Sequence, residues 1–182
     1  MSVRAYDFHE QLEMSQGVVA GAAVRDILLA NIPGSIDARE AGEADDRNGT
    51  DWWVDRTRGH PLGIDVKVRA KDWLLHGEDD LALETWSNVE AGRVGWTRDM
   101  SKQTDFILWW WKETGRWCLI PFHMLCAIML ERWATWAEIY KTARQKTPTG
   151  NGGYHSECVF VPRVVVWREI YGRFGGKKRG AA

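Results

Sequence analysis

Leu62-Gly63-Ile64-Asp65-Val66-Lys67-Val68-Arg69-Ala70 alternates apolar with polar side chains, setting Ile64, Val66 and Val68 against Asp65, Lys67 and Arg69. Residues two apart on a β-strand share a face, so this stretch reads as a half-buried strand with a carboxylate and an ammonium side by side. Just upstream, Asp51-Trp52-Trp53-Val54-Asp55 is strand-like and Arg58-Gly59-His60-Pro61 is a turn. A hairpin between the two strands can return Asp51 to the side of Asp65 and Lys67.

Working outward, Asp7 to Asn31 carries Phe8, Leu12, Val18, Val24, Ile27 and Leu28 on one broad face, which predicts a helix ended by Pro33-Gly34. Ser35 to Thr50 is polar, acidic and glycine-containing, a loop with a short strand around Ser35 to Arg39. Downstream, strands are expected at Leu81 to Ser87, Asp105 to Lys112 and Trp117 to Phe122, with a loop at Gly92 to Gly95 and a turn at Thr114-Gly115. His123 to Thr142 has helical spacing through Leu125, Met129, Trp133 and Trp136. Then come a polar loop, Gln145 to Gly153, a strand, Glu157 to Pro162, and a short helix or strand, Val164 to Tyr171. Without a repeat or linker, residues 1–182 read as a single α/β or α+β domain with a flexible basic tail at 175–182.

Composition narrows the classes. With 24 Lys+Arg, 25 Asp+Glu and 45% apolar residues in 182, the chain can bury a full core. No apolar run reaches bilayer-spanning length, which predicts no membrane partner, and three irregularly spaced cysteines suit a reducing, cytoplasmic setting. The charge is asymmetric: residues 1–55 carry a net −7 and residues 141–182 a net +7. An acidic part that holds cations and a basic part that meets phosphates suit an enzyme acting on nucleic acid. Twelve tryptophans are far above average usage and mostly have to build core. In Trp109-Trp110-Trp111 the middle ring should face away from its neighbours.

Two carboxylates, Asp51 and Asp65, with the carbonyl of Val66 between them form an oxygen-rich pocket that suits Mg²⁺ or Mn²⁺ rather than zinc. Lys67 beside it can orient or help deprotonate a water, or stabilise charge on a pentacovalent phosphate. This pattern resembles the PD-(D/E)XK nuclease superfamily. Asp51 in Gly49-Thr50-Asp51 matches the first acidic position, with Thr50 in the proline's place, and Asp65-Val66-Lys67 matches the (D/E)XK element. The order of helix, strand meander, later strands and helix over residues 7–142 is similar to that superfamily's core.

The resemblance implies a restriction-endonuclease-like fold, a mixed central sheet flanked by helices, and Mg²⁺- or Mn²⁺-dependent hydrolysis of phosphodiester bonds, in DNA above all. It also implies two accessory carboxylates, Glu84 on the strand after the lysine and Glu13 (or Glu10) on the first helix, and a homodimer that addresses two strands. Glu84 is flanked by large residues, so an ion pair with a neighbouring Arg or Lys is the other reading. Arg69, Lys71, Arg98, Lys102, Lys177, Lys178 and Arg179 are the cations available to phosphates. RNA or a branched junction would use the same residues, and a non-catalytic binding module on the same fold is the alternative from another class.

Weaker signals are His123-x-x-Cys126 and His155-x-x-Cys158, whose apolar settings favour buried structural cysteines over zinc ligands, and the loop histidines His60 and His76. Removing the Lys67 ammonium is expected to abolish activity and even to stabilise the domain by relieving desolvation.

Overall fold

The computed structural model describes residues 21–148 and 153–175. The chain is a mixture of helices and two sheets, grouped in two units that alternate along the sequence. Of the described residues, the first unit contains 21–72, Met100–His123 and Gln145–Thr147; the second contains Trp73–Asp99, Met124–Arg144, Pro148 and 153–175.

In the first unit, helix α1 (Ala22–Asn31) is followed by β1 (Ser35–Glu40), the short helix α2 (Glu43–Arg47), β2 (Trp52–Arg56) and β3 (Leu62–Arg69), then by β6 (Phe106–Trp111) and β7 (Arg116–Pro121). The expected helix from Asp7 is seen from Ala22 onward; its earlier part lies outside the described residues. Gly34, at φ +75°, turns the chain from α1 into β1 in a conformation that a side chain would strain. The five strands lie in the order β1-β2-β3-β6-β7, antiparallel except for β3 and β6, so the sheet is mixed.

Val24, Leu28 and Ile32 of α1 pack on Ala38, Trp52, Val54, Ile64, Val66 and Leu108, all buried, which covers one face of the sheet. The alternation of β3 thus does what its sequence asks: Ile64 and Val66 enter this core, while Asp65 and Lys67 take the other face. That face is also largely enclosed, since Asp65 is 6% exposed and Ile107 and Trp109 of β6 are fully or almost fully buried. Continuous burial of both faces explains the unbroken apolar run of β6. Trp109 and Trp111 are buried on one face and Trp110 packs against the α1 core on the other, as the strand period requires.

A polar clamp ties the segment after β3 to the β6–β7 hairpin. Asp72, 2% exposed, receives Arg116 through two hydrogen bonds (2.9 and 2.7 Å) and the Thr114 hydroxyl (2.7 Å). The Asp72 N–H donates to Glu113 (2.9 Å). The Arg116 guanidinium lies 3.9 Å from the centre of the Trp111 ring, so it is held by charge and by stacking.

The second unit is built on β4 (Asp80–Asn88), β5 (Arg93–Val94), β8 (Thr142–Thr147, its last three residues in the first unit) and β9 (Tyr154–Pro162), ordered β5-β4-β9-β8, with helices α3 (Phe122–Ile139, its start in the first unit) and α4 (Arg163–Phe174). Leu81 and Leu83 of β4 pair with Val161 and Val159 of β9, all fully buried. Two expectations are corrected. The polar loop from Gln145 begins instead as part of strand β8, whose Thr-Ala-Arg-Gln-Lys-Thr sequence has no apolar period because it is an edge strand. The strand at Leu81 to Ser87, expected in a single central sheet, lies in a second sheet between β5 and β9. Among the described residues no helix is long and apolar enough to cross a membrane.

Candidate functional site

Asp51 stands one residue before β2. Trp52 pairs with Ile64 and Trp53 with Gly63, so Asp51 stands beside Asp65 where the ladder ends. The turn that delivers it depends on Gly49, at φ +93°, where a Cβ would come within 2.8 Å of Lys102 Cδ. Thr50, fully buried, donates its N–H to the Asp45 carbonyl (3.0 Å) and its hydroxyl to the Gln103 carbonyl. A proline at this position would lose both bonds, which accounts for threonine in its place.

The Asp51 N–H then donates to the Ile64 carbonyl (2.9 Å), and Asp51 Oδ2 accepts the Val66 N–H (2.7 Å). Lys67 Nζ lies 2.5 Å from Asp65 Oδ1, and among the described residues that oxygen has no other donor. Ile64 and Val66 alternate in step, so the Val66 carbonyl faces the same side as that of Ile64, beyond the point where β2 begins and supplies ladder partners. Asp46 of α2, a third acid with no periodic signal around it, shares a hydrogen bond with the Asp51 carboxyl.

Electrostatics follow from this crowding. Burial, then the Asp65 charge, push the Asp51 carboxyl up to about 7, against the opposing pull of Lys67 and of the Val66 N–H. Burial works against the Lys67 ammonium, but the Asp65 and Asp51 charges outweigh it and hold its pKa above the ordinary lysine value. Lys67 is therefore a fixed cation, and its side chain keeps 26% exposure. That geometry argues against a gain in stability on its removal, because a buried carboxylate would lose its partner.

The sign of the pH dependence is fixed by Asp51. Its carboxyl titrates near 3.8 unfolded and near 7 folded. Below about pH 4 both states hold the proton; between about 4 and 7 only the folded state does, so the stabilisation it contributes is lost as pH rises through 7. In EDTA, urea unfolding of the wild type should show about 3 kcal/mol less stability at about pH 8 than at about pH 4, and Asp51→Asn should remove most of that slope. An unchanged slope in the variant would assign it to other groups.

The other predicted residues separate. Arg69 lies on β3 and Lys71 just after it, both in the first unit. Lys102, also there, donates to the Arg47 carbonyl (3.2 Å) and covers Gly49, so it braces the turn that carries Asp51. Glu84 belongs to the second unit. Its Oε2 accepts the Trp96 N–H (3.1 Å), and its backbone carbonyl would lie 2.2 Å from a Cβ on Gly95. The partner that a carboxylate there needs includes a backbone amide. Arg98, in the same unit, stacks on Trp86 (4.6 Å) and Trp133 (4.1 Å) and donates to the Thr85 carbonyl (3.2 Å). Glu10, Glu13, Lys177, Lys178 and Arg179 lie outside the described residues.

Cys126 is buried and Cys158 only half-buried. Burial pushes the Cys126 thiol up to about 12, and His155 Nδ1 is engaged with Glu90 (2.6 Å). His76 tilts against Trp73 in the second unit, whereas His60 sits on the β2–β3 turn of the first. Comparison of the chain with family models, with curated proteins and with solved structures gave no match.

Proposed function

We propose that the protein is a metal-dependent nuclease that hydrolyses phosphodiester bonds in DNA, with its site at Asp51, Asp65, Val66 and Lys67. One observation carries the reading: two carboxylates side by side at the end of the β2–β3 ladder, one of them pushed up to about 7 by burial and then by the charge of the other, with a lysine on the same strand face. An acid pair with this surplus of negative charge is a receptor for a cation. The meander of β1 to β3 under α1, with β6 parallel to β3, supports a restriction-endonuclease-like core.

The donor set fits Mg²⁺ or Mn²⁺. Among the described residues no three His, Cys, Asp or Glu side chains form a metal-holding group, so Asp51, Asp65 and the Val66 carbonyl would share the ion with water, as Mg²⁺ prefers. Such an ion would polarise a phosphoryl oxygen and lower the pKa of a bound water. Lys67, fixed by Asp65, contributes a positive charge to the phosphorane as the water oxygen bonds to phosphorus and the leaving oxygen departs.

The test is cleavage of linear, circular and single-stranded DNA in Mg²⁺, Mn²⁺ or EDTA. Metal-dependent cutting is expected, and loss of the circular form would show that it acts internally. Binding without cutting under either metal would overturn the enzyme and leave a nucleic-acid-binding module.

A further inference from the structure

On the face of the first sheet that carries the acid pair, an open cleft of about 480 Å³ is lined by Arg39, Trp53, His60, Gln103, Asp105 and His123. Trp53 is two residues along β2 from Asp51, so the cleft lies about 7 Å from the acid pair, one strand repeat away on the same face. Arg39 pairs with Trp53 across β1 and β2, and Gly63 pairs with it across β2 and β3. Glycine is required at 63, because a Cβ there would meet the Gln103 carbonyl and the Thr50 hydroxyl, each at 2.8 Å.

The polar groups of this cleft are largely uncommitted. Trp53 spends its only donor on Asp45 (2.9 Å), which fixes the ring and leaves it no polar claim on the cleft. Asp105 uses Oδ2 to accept the Gly63 N–H (2.8 Å), leaving Oδ1 as an acceptor. Among the described residues Gln103 engages only its backbone, through its N–H to Asn48 and its carbonyl to Thr50, so the side-chain amide retains a donor and an acceptor. Arg39 is held loosely, 3.4 Å from Asp55 with both side chains partly in solvent. The cleft thus offers one immobilised aromatic ring, an amide and a carboxylate for in-plane hydrogen bonds, and a guanidinium with two imidazoles for an anion. That combination matches a nucleotide: a flat base to stack, a base edge that donates and accepts, and a phosphate. A simple anion site would have no use for the Asp105 carboxylate.

We infer that this cleft is a subsite for one unpaired nucleotide of a strand, its base against Trp53 and its edge read by Gln103 and Asp105. Resting on the nuclease reading, it sets the nucleotide next to the phosphate that is cut, and it makes a single-stranded end, a gap or an unstacked base the preferred substrate, since a base inside a duplex cannot present its face.

The test is binding, in EDTA, of a short fluorescein-labelled oligodeoxynucleotide of mixed sequence, single-stranded and as a duplex, followed by anisotropy. The wild type should prefer the single strand. Trp53→Ala should weaken single-strand binding about tenfold or more while changing duplex binding little, and Trp53→Phe should restore much of the loss. Gln103→Ala, which removes no side-chain hydrogen bond among the described residues, should weaken the single strand in the same direction. Equal single-strand binding by wild type, Trp53→Ala and Gln103→Ala would overturn the subsite, as would an equal loss on single strand and duplex. Displacement of the strand by free nucleoside monophosphate at matching concentration would also overturn it, in favour of a mononucleotide pocket. Because no metal is present, the outcome stands whether or not the protein cuts DNA, and failure of the cleavage assay alone would count against the nuclease and not against the cleft.

Discussion

Asp65→Ala and Lys67→Ala are each expected to lower phosphodiester cleavage by about a thousandfold or more, the scale on which removing a charge stabiliser or a proton-transfer group acts. The two substitutions fail differently. Without Asp65 the cation loses a ligand, and the Lys67 ammonium loses the oxygen that holds it at 2.5 Å. Without Lys67, Asp51 and Asp65 keep their metal site but lose their internal counter-charge, which leaves the apo protein less stable. Added Mg²⁺ should therefore raise the melting temperature of Lys67→Ala more than that of wild type, and should do little for Asp65→Ala. Lys67→Arg preserves the charge and is the control for stability. Retention of more than about a tenth of wild-type activity in Asp65→Ala would remove the assignment, because this scale of effect leaves no room for it.

The second large effect is structural. Arg116→Ala is expected to cost about 3 kcal/mol of stability, measured by urea unfolding, because it leaves the Asp72 carboxylate, only 2% exposed, without its guanidinium and strips a stacked cation from Trp111. Asp72→Ala/Arg116→Ala together should cost less than the sum of the single changes, since the second removal relieves the charge that the first stranded. Additive losses would show that the two residues act separately.

Local elements were legible in the sequence, and little of what relates the strands was. The β3 alternation, the turn at Thr114-Gly115 and the helix through Leu125, Met129 and Trp136 follow local periods, and all appear in the structure. The placement of Asp51 beside Asp65 was legible because a single hairpin turn sets that register. The parallel pairing of β3 with β6 was not, since it depends on where a chain returns after a long excursion. Helix α2 has five residues, four of them charged and none buried, and offers no apolar face to detect, so Asp46 passed unnoticed. The cleft escaped for the same reason: Arg39, Gln103 and His123 are far apart in sequence and meet only through the sheet. Glu84 and Arg98 show how side chains chosen for their charge acquire local duties, one bonded to a backbone amide and the other stacked between indoles.

The crossover from β3 to β6 also dictates an order of events during synthesis. Everything from Ala70 to Asp105 intervenes between the strand that bears Asp65 and Lys67 and the neighbour that walls it in. A ribosome that has released residues up to Arg69 has made the whole acid pair and its lysine, yet these charged groups still face water beside an unpaired strand edge. Closing so wide a loop before any parallel contact forms is entropically costly and slow, so the nascent chain passes through a stage in which its β3 edge is open to the wrong strand. Placing Asp65, Lys67 and Arg69 on that edge keeps it charged during the wait, and the groups read here as catalytic also serve as guards against aggregation before they have anything to cut.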